Sequence, residues 1–212
     1  MTLSNGGSDT QTVEIVNNVT PGSAQSPALA LEEYRALRQA ITARGHLRVG
    51  LALAGFIAWV AMLATTVLAL PIPVAAVLPL MVLVATFEAI RPLHFGAERI
   101  GRYLQVFYEE RDLGDDAPLD PPAWERSAMQ FGASVPGAAG HPLYVPLFAL
   151  ATAVNLLAVI LPGPLAIELG WMAVPHAAFV VWLARADRAM RTQRETDLGR
   201  YRELKETTKA RR

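Results

Sequence analysis

The sequence contains no cysteine, which excludes disulfide bridges, thiolate metal sites and cysteine nucleophiles. Lysine is almost missing too, with 2 residues against 17 arginines, and the 19 basic residues balance 19 acidic ones. A chain without net charge has no global field that attracts nucleic acid, so we expect no nucleic-acid partner. There is no P-loop, dinucleotide-binding fingerprint or Gly-x-Ser-x-Gly elbow. The sequence therefore predicts no cofactor and no catalytic residue.

Charge is nearly missing from two long stretches. Glu88 is the only charged residue within 49–90, and Glu168 is the only one within 142–184. A helix needs about 20 apolar residues to cross the hydrocarbon of a bilayer, so each stretch is long enough for two crossings. A soluble core helix would need a polar face at helical period, and residues 49–70 have none. The sequence predicts an all-α, polytopic membrane protein whose first partner is the lipid bilayer.

Prolines divide each stretch into two helices. "LPIP" (70–73) and "LPGP" (161–164) place two prolines near the middle of each stretch. A proline in a helix interior costs about 3 kcal/mol, whereas proline at the first position of a helix is favourable. We interpret both motifs as tight turns. The prediction is four transmembrane helices as two tandem hairpins, with spans 49–70, 74–90, 143–161 and 165–184.

Arginines set the predicted orientation. Neither hairpin turn carries a basic residue, whereas arginines lie before the first span, between the hairpins and after the fourth span. By the positive-inside rule, both termini and the central segment are cytoplasmic, and the location is an inner (cell) membrane. Glu88 and Arg91, three residues apart at the inner boundary, are expected to form an ion pair.

The two hairpins are predicted to be copies of one unit. Leu-Pro-x-Pro recurs at an offset of 91 residues, and Gly-Arg-Tyr recurs at an offset of 98. Internal symmetry is common in membrane folds. Each unit would hold a short cytoplasmic helix, a hairpin and an arm helix. The predicted division is a disordered tail 1–25, a first unit 26–113, a linker 114–122 and a second unit 123–212.

The arm helix that follows the second span is predicted to be amphipathic. Burying one large apolar side chain contributes about 1.5–3 kcal/mol, so its apolar stripe should pack on the other cytoplasmic helices. Arg102 is expected on the opposite, polar side. The stripe consists of Ile100, Tyr103, Leu104, Phe107 and Tyr108.

A stripe of small residues marks the first span. Gly50, Ala54 and Ala58 recur every four positions. Such stripes let helix backbones approach closely in lipid, either within one bundle or between protomers. The sequence leaves both possibilities open.

Histidines supply the candidates for metal chemistry. His94 and Glu98 lie one turn apart and can share a helix face. Together with His46 and His141 they would place metal-ligating groups at the inner membrane boundary. The spacing matches neither His-Glu-x-x-His nor Glu-x-x-His, so histidines at a wet interface without a metal are the simpler interpretation.

Two further polar residues lie inside the predicted spans. We expect His176 near the middle of the fourth span and Asn155, in the third, at a different depth. Polar groups in hydrocarbon mark either a functional path or hydrogen bonds between helices. Hydrogen bonding is the favoured interpretation. The alternative is an ion or proton path that Thr65, Thr66 and Thr152 also line.

Three functions follow from these features. The first is a non-catalytic membrane module that anchors or scaffolds a partner, or self-associates, through its cytoplasmic helices. Its partner would be a second copy or another membrane or cytoplasmic protein. The second is a small oligomeric channel or transporter. The third is a membrane-interface metalloenzyme that uses His46, His94, Glu98 and His141. The lack of catalytic motifs favours the first.

Overall fold

A computed structural model describes residues 27–69, 72–110, 143–161 and 166–211. The regular structure of these residues is entirely helical, which confirms the predicted all-α class for this part of the chain. A 3₁₀ turn, Pro73–Ala76, precedes the second helix, and a π-helical turn, Gln105–Glu109, continues it. The four α-helices are α1, Pro27–Ala69; α2, Val77–Leu104; α3, Val145–Ile160; and α4, Ala166–Ala210.

Three of the helices are long and apolar enough to cross a membrane, namely α1, α2 with its π turn, and α4. This indicates a membrane protein. Helix α3 is also apolar, but its 16 residues cover only about 24 Å at 1.5 Å per residue. A fourth crossing by α3 stays a prediction.

Helices α1, α2 and α4 do not stop at the predicted span boundaries. The predicted cytoplasmic helix and the first span form one helix of 43 residues, and the fourth span and its arm form one of 45. Helix α2 likewise continues beyond Ile90 and through Pro92. A membrane boundary changes the solvent but not the backbone hydrogen bonds, so a helix has no reason to end there. The predicted separate helices are therefore arms of the spans, here called the α1 arm (27–48), the α2 arm (91–110) and the α4 arm (185–210).

Several predictions lie outside the described residues. They include the tail 1–25, the linker 114–122, the cytoplasmic helix of the second unit and His141. Of the four turn prolines, Pro71, Pro162 and Pro164 lie outside as well. Pro73 takes the first position of the 3₁₀ turn, where its missing N–H has no intrahelical partner.

Helices α1 and α2 pack antiparallel. Gly55 of α1 lies against Thr86 of α2, and farther along the pair Glu33 of α1 contacts Tyr103 of α2. A Cβ at position 55 would lie 2.2 Å from Cγ2 of Thr86, so only glycine permits this approach. This contact sets the short distance between α1 and α2 in their apolar parts.

Helices α2 and α4 pack parallel, since the contacting residues rise together along both chains. Phe87 contacts Phe179, and Arg102 contacts Asp197. From Met172 to Met190 the stripe of α4 that faces the bundle repeats in steps of three and four residues, which is the pattern of a coiled-coil seam, and Asp197 follows seven residues later. Its members are Met172, His176, Phe179, Leu183, Ala186, Met190 and Asp197.

One phenylalanine from each helix meets in the core. Phe148 of α3 lies 5.0 Å from Phe56 of α1 and 5.4 Å from Phe87 of α2, measured between ring centroids. Phe179 of α4 lies 6.1 Å from Phe87 and meets it edge to face. Such ring pairs contribute about 0.5–1.5 kcal/mol beyond the area that they bury. The four rings tie all four helices together at one level.

Candidate functional site

Asn155 and His176 meet in what we call the turn-side junction, formed by Ala76, Asn155, Met172 and His176. Asn155 Nδ2 donates to the carbonyl oxygen of Ala76 at 2.9 Å and lies 2.9 Å from His176 Nε2. An amide nitrogen only donates, so Nε2 accepts and the imidazole proton is on Nδ1. Nδ1 donates to the carbonyl oxygen of Met172 at 2.7 Å. The junction thus joins the 3₁₀ turn, α3 and α4.

The predicted depths of these two residues were wrong. A direct hydrogen bond requires the same depth, and Ala76 belongs to the turn between α1 and α2. The junction therefore lies toward the turn end of the bundle. The position of a residue along its predicted span does not give its depth in the bundle here. Helix α3 is shorter than the other helices and ends five residues after Asn155.

The turn-side junction is closed. Asn155 is 0% exposed, and His176 is 2% exposed. Asn155 Oδ1 is buried without a hydrogen-bond partner. Thr152, one turn away and also buried, donates to the carbonyl oxygen of Phe148 in its own helix.

The other threonines of the predicted path do not extend it. Thr65 is exposed and donates to the carbonyl oxygen of Ala61. Thr66 is buried and donates to that of Leu63. Each hydroxyl is satisfied by its own helix, so neither presents a free donor to the interior.

His94 forms a second, arm-side junction with Arg48 and Met190, which joins α1, α2 and α4. Arg48 Nη1 lies 2.8 Å from His94 Nδ1, and Met190 Sδ lies 3.0 Å from His94 Nε2. A guanidinium only donates, so Nδ1 accepts and Nε2 carries the proton toward the sulfur. Both ring nitrogens are engaged, and in this arrangement neither offers a lone pair to a metal.

The environment of His94 keeps it neutral. His94 lies beyond the predicted span 74–90 and is 3% exposed. Burial, and then the charges of Arg48 and Arg102, lower its pKa from 6.5 to about 4. An uncharged imidazole can accept the Arg48 hydrogen bond at neutral pH.

The predicted metal-ligand set is not brought together. Glu98 accepts a hydrogen bond from Arg102 Nη2 at 3.1 Å, and His46 is exposed. Among the residues that the structure describes, no three His, Asp or Glu side chains are placed to hold a metal ion. His94 and Glu98 therefore have separate partners.

Arg102 is buried, so its predicted place on a polar side was wrong. The residue is 1% exposed, and its Nη1 lies 2.7 Å from Asp197 Oδ2. The α2 arm lies between the other two arms, so it has no fully solvated face. A buried arginine is tolerated because it is paired, and loss of one partner from such a pair costs about 3–5 kcal/mol.

The aromatic residues of the α2 arm contact both neighbouring arms. The Tyr103 hydroxyl donates to Glu33 Oε1 at 3.0 Å, and its ring lies 5.9 Å from Tyr201, edge to face. Burial and the hydrogen bond to Glu33 raise the pKa of Tyr103 to about 12. Tyr108 lies 5.5 Å from Tyr34 of the α1 arm. Tyr103 and Tyr201 each end a Gly-Arg-Tyr segment, so the two segments meet through these rings.

The α4 arm also closes the carboxyl end of the α2 arm. Lys205 Nζ donates to the carbonyl oxygens of Val106, at 3.0 Å, and Glu110. Arg202 forms a two-point ion pair with Glu110, with Nη2 2.8 Å from Oε1. Cationic side chains commonly satisfy the last carbonyls of a helix in this way.

The ion pair predicted between Glu88 and Arg91 is confirmed, at 2.9 Å. Trp182 of α4 joins it, since its Nε1 donates to Glu88 Oε1 at 2.7 Å and Arg91 lies 5.2 Å from its ring centroid. Trp182 was not among the predicted site residues, although tryptophan at the edge of an apolar run is typical of a membrane interface.

Comparison with protein-family models, with curated proteins and with solved structures found no match. The partners of the buried polar residues, namely Arg48, Met190 and Asp197, were not predicted from the sequence. Each contacts a residue 46 to 96 positions away, and no local pattern identifies such a partner.

Proposed function

We propose that the protein is a non-catalytic integral membrane module that anchors a partner or self-associates through its arms. Four transmembrane helices form two tandem hairpins, and both termini and the central segment are cytoplasmic. The observation that carries this proposal is the continuation of three membrane-length helices into arms that contact one another. The buried pair Arg102–Asp197 joins the α2 and α4 arms, and the hydrogen bond from Tyr103 to Glu33 joins the α2 and α1 arms. Such arms form a rigid platform on one side of the membrane.

The four-span arrangement is supported by the phenylalanine core. Phe56 and Phe148 are 92 residues apart, and so are Phe87 and Phe179. This spacing is close to the offset of 91 between the two proline turns, as expected for duplicated hairpins. Helix α3 crosses as the shortest span, and a short span is accommodated by local thinning of the bilayer.

Neither polar junction of the described residues presents a group that a substrate can reach, which favours a non-catalytic role for these two sites. His94 has both ring nitrogens engaged, and the turn-side junction is closed to solvent. An enzyme needs a group that substrate can reach. This argument counts against the metalloenzyme hypothesis, because its central residue, His94, has no free ring nitrogen for a metal.

The exposed stripe of small residues favours a second copy as the partner. Gly50, Ala54 and Ala58 all face away from the bundle, and a Cβ at position 50 would meet nothing within 4 Å. Small residues on a lipid-facing surface let a second helix approach closely. Another membrane or cytoplasmic protein on the arms is the alternative partner.

A small oligomeric channel or transporter is the second candidate function. The observation in its favour is Asn155 Oδ1, a buried acceptor without a partner. A path through a single protomer would need more polar groups than the spans carry, so a pore would lie between copies.

Two measurements test the proposed module. Reporters fused after Arg48, within 114–122 and at Arg212 should all report the cytoplasm, and an external signal from the middle fusion contradicts four spans. The mass of the protein–detergent complex should reveal a dimer that Ala54→Leu dissociates. Ala85→Leu, at an exposed alanine of α2, is the matched control and should leave the dimer intact. Ion flux into liposomes would instead support the channel.

A further inference from the structure

Two arginines of the α1 arm reach across to α2 beside the predicted first span. Arg44 and Arg48 lie one helical turn apart and are both partly buried. Arg48 reaches His94, and Arg44 lies over Gly96, where a Cβ would come within 2.6 Å of its Nη1. Glycine at position 96 therefore leaves room for the Arg44 guanidinium against the α2 backbone.

These two arginines have no acidic partner among the residues that the structure describes. The contacts of Arg48 are with His94 Nδ1 and with the ring of Tyr144, whose centroid lies 6.0 Å away. Both groups are uncharged, and Arg48 Nε is buried without a hydrogen-bond partner. The nearby carboxylate of Glu98 is engaged by Arg102.

Four other arginines of the described residues are neutralised within the chain. In each of four ion pairs the guanidinium lies within 3.1 Å of a carboxylate oxygen. Arg44 and Arg48 are adjacent positive charges at the edge of an apolar span, and a bound anion would neutralise charge that no carboxylate of the described residues neutralises. The paired arginines are Arg91, Arg102, Arg191 and Arg202.

We propose that Arg44 and Arg48 bind the phosphate of an anionic phospholipid headgroup in the cytoplasmic leaflet. The planar guanidinium fork matches phosphate oxygens at two points. Headgroup phosphates lie just beyond the hydrocarbon, where Arg48 is the last charged residue before the uncharged stretch 49–87. Basic grooves between membrane helices on the cytoplasmic side bind anionic headgroups by the same chemistry.

This inference rests on the membrane placement proposed above, which the topology reporters test separately. The probe is thermal unfolding of the full chain in a neutral detergent, with phosphatidylglycerol, phosphatidylcholine or inorganic phosphate added. Phosphatidylglycerol should raise the midpoint by about 4 °C, as for a ligand present at about ten times its dissociation constant. Phosphatidylcholine and inorganic phosphate should each give less than about a quarter of that rise. An equal rise with inorganic phosphate, or with phosphatidylcholine, overturns the assignment to an anionic lipid.

Charge-removing variants locate the site. Arg44→Gln with Arg48→Gln should abolish the response to phosphatidylglycerol. The matched control, Arg35→Gln with Arg200→Gln, removes two exposed charges elsewhere on the arms and should keep the full response. Retention of the response by the first pair, or its equal loss in the control, overturns the proposal.

A second variant keeps the test decisive if the double variant fails to fold. Arg48→Gln also disturbs the hydrogen bond to His94, whereas Arg44→Gln alone leaves that bond in place. Arg44→Gln should reduce the response to phosphatidylglycerol by about half, since one of two guanidiniums remains. An unchanged response in Arg44→Gln overturns the two-arginine site.

Discussion

The turn-side and arm-side junctions have the same structural role but use different kinds of polar contact. Both bind α4 to its neighbours through a buried histidine, and His176 and Met190 lie on one stripe of that helix. At the turn side the partners are an amide and backbone carbonyls, all uncharged. At the arm side the imidazole faces a guanidinium, and farther along the arms Arg102 faces Asp197.

The difference follows the proposed membrane placement. In hydrocarbon an ion is far more costly than a neutral polar group, and even an amide needs its hydrogen bonds satisfied. Outside the hydrocarbon the chain uses a buried ion pair, because the carboxylates of Asp197 and Glu98 compensate the solvation that Arg102 loses. The bundle-facing stripe of α4 therefore takes part in uncharged hydrogen bonds with α3 at one end and in a buried salt bridge with α2 at the other.

The salt bridge of the arms should give the largest effect when broken. Arg102→Ala leaves Asp197 buried without its cation and should destabilise the fold by about 3–5 kcal/mol. Arg191→Ala breaks an ion pair whose arginine side chain is 66% exposed and should cost less than about 1 kcal/mol. Unfolding in detergent, followed by circular dichroism, measures both. A similar loss of unfolding free energy in the two variants would mean that burial of Arg102 does not determine how much its ion pair contributes to stability.

The arm-side histidine should make stability fall at acid pH. Because the pKa of His94 falls from 6.5 to about 4 on folding, the unfolded state takes up the proton first. Stability is therefore unaffected above pH 6.5 and is lost as the pH falls from 6.5 toward 4, by on the order of 3 kcal/mol. A pH series of unfolding midpoints should show this loss.

His94→Gln separates this effect from other titrations. Glutamine can still accept a hydrogen bond from Arg48 but does not titrate. The variant should have a flatter stability profile between pH 4 and 6.5 than the natural chain. Parallel profiles for the two proteins would show that His94 is not the responsible group.

The features that could be predicted are those set by residues close together in the sequence. Apolar length predicted the membrane helices, and the three-residue spacing predicted the ion pair between Glu88 and Arg91. Burial of Arg102 could not be predicted, because it depends on Asp197, 95 residues away. The contact between Asn155 and His176 depends on the relative heights of α3 and α4, which the span boundaries do not determine. The predicted helix ends at the membrane boundary were also wrong, because the solvent changes there but the backbone hydrogen bonds do not.

The turn-side junction should respond to the loss of hydrogen bonds alone. Asn155→Ala removes the donor to His176 Nε2 and to the Ala76 carbonyl, and should destabilise the bundle by about 1–2 kcal/mol. Thr152→Val is the matched control in the same helix. Its hydroxyl donates to a carbonyl of its own helix, so its removal leaves no buried group unpaired and should cost less than about 0.5 kcal/mol.

Both turn-side variants are measured by unfolding in detergent at pH 7, where the neutral imidazole of His176 accepts the hydrogen bond from Asn155. Equal costs for the two variants would assign the effect to packing around α3. A larger cost for Asn155→Ala than for Thr152→Val shows that the uncharged hydrogen bonds themselves bind the turn to α3 and α4.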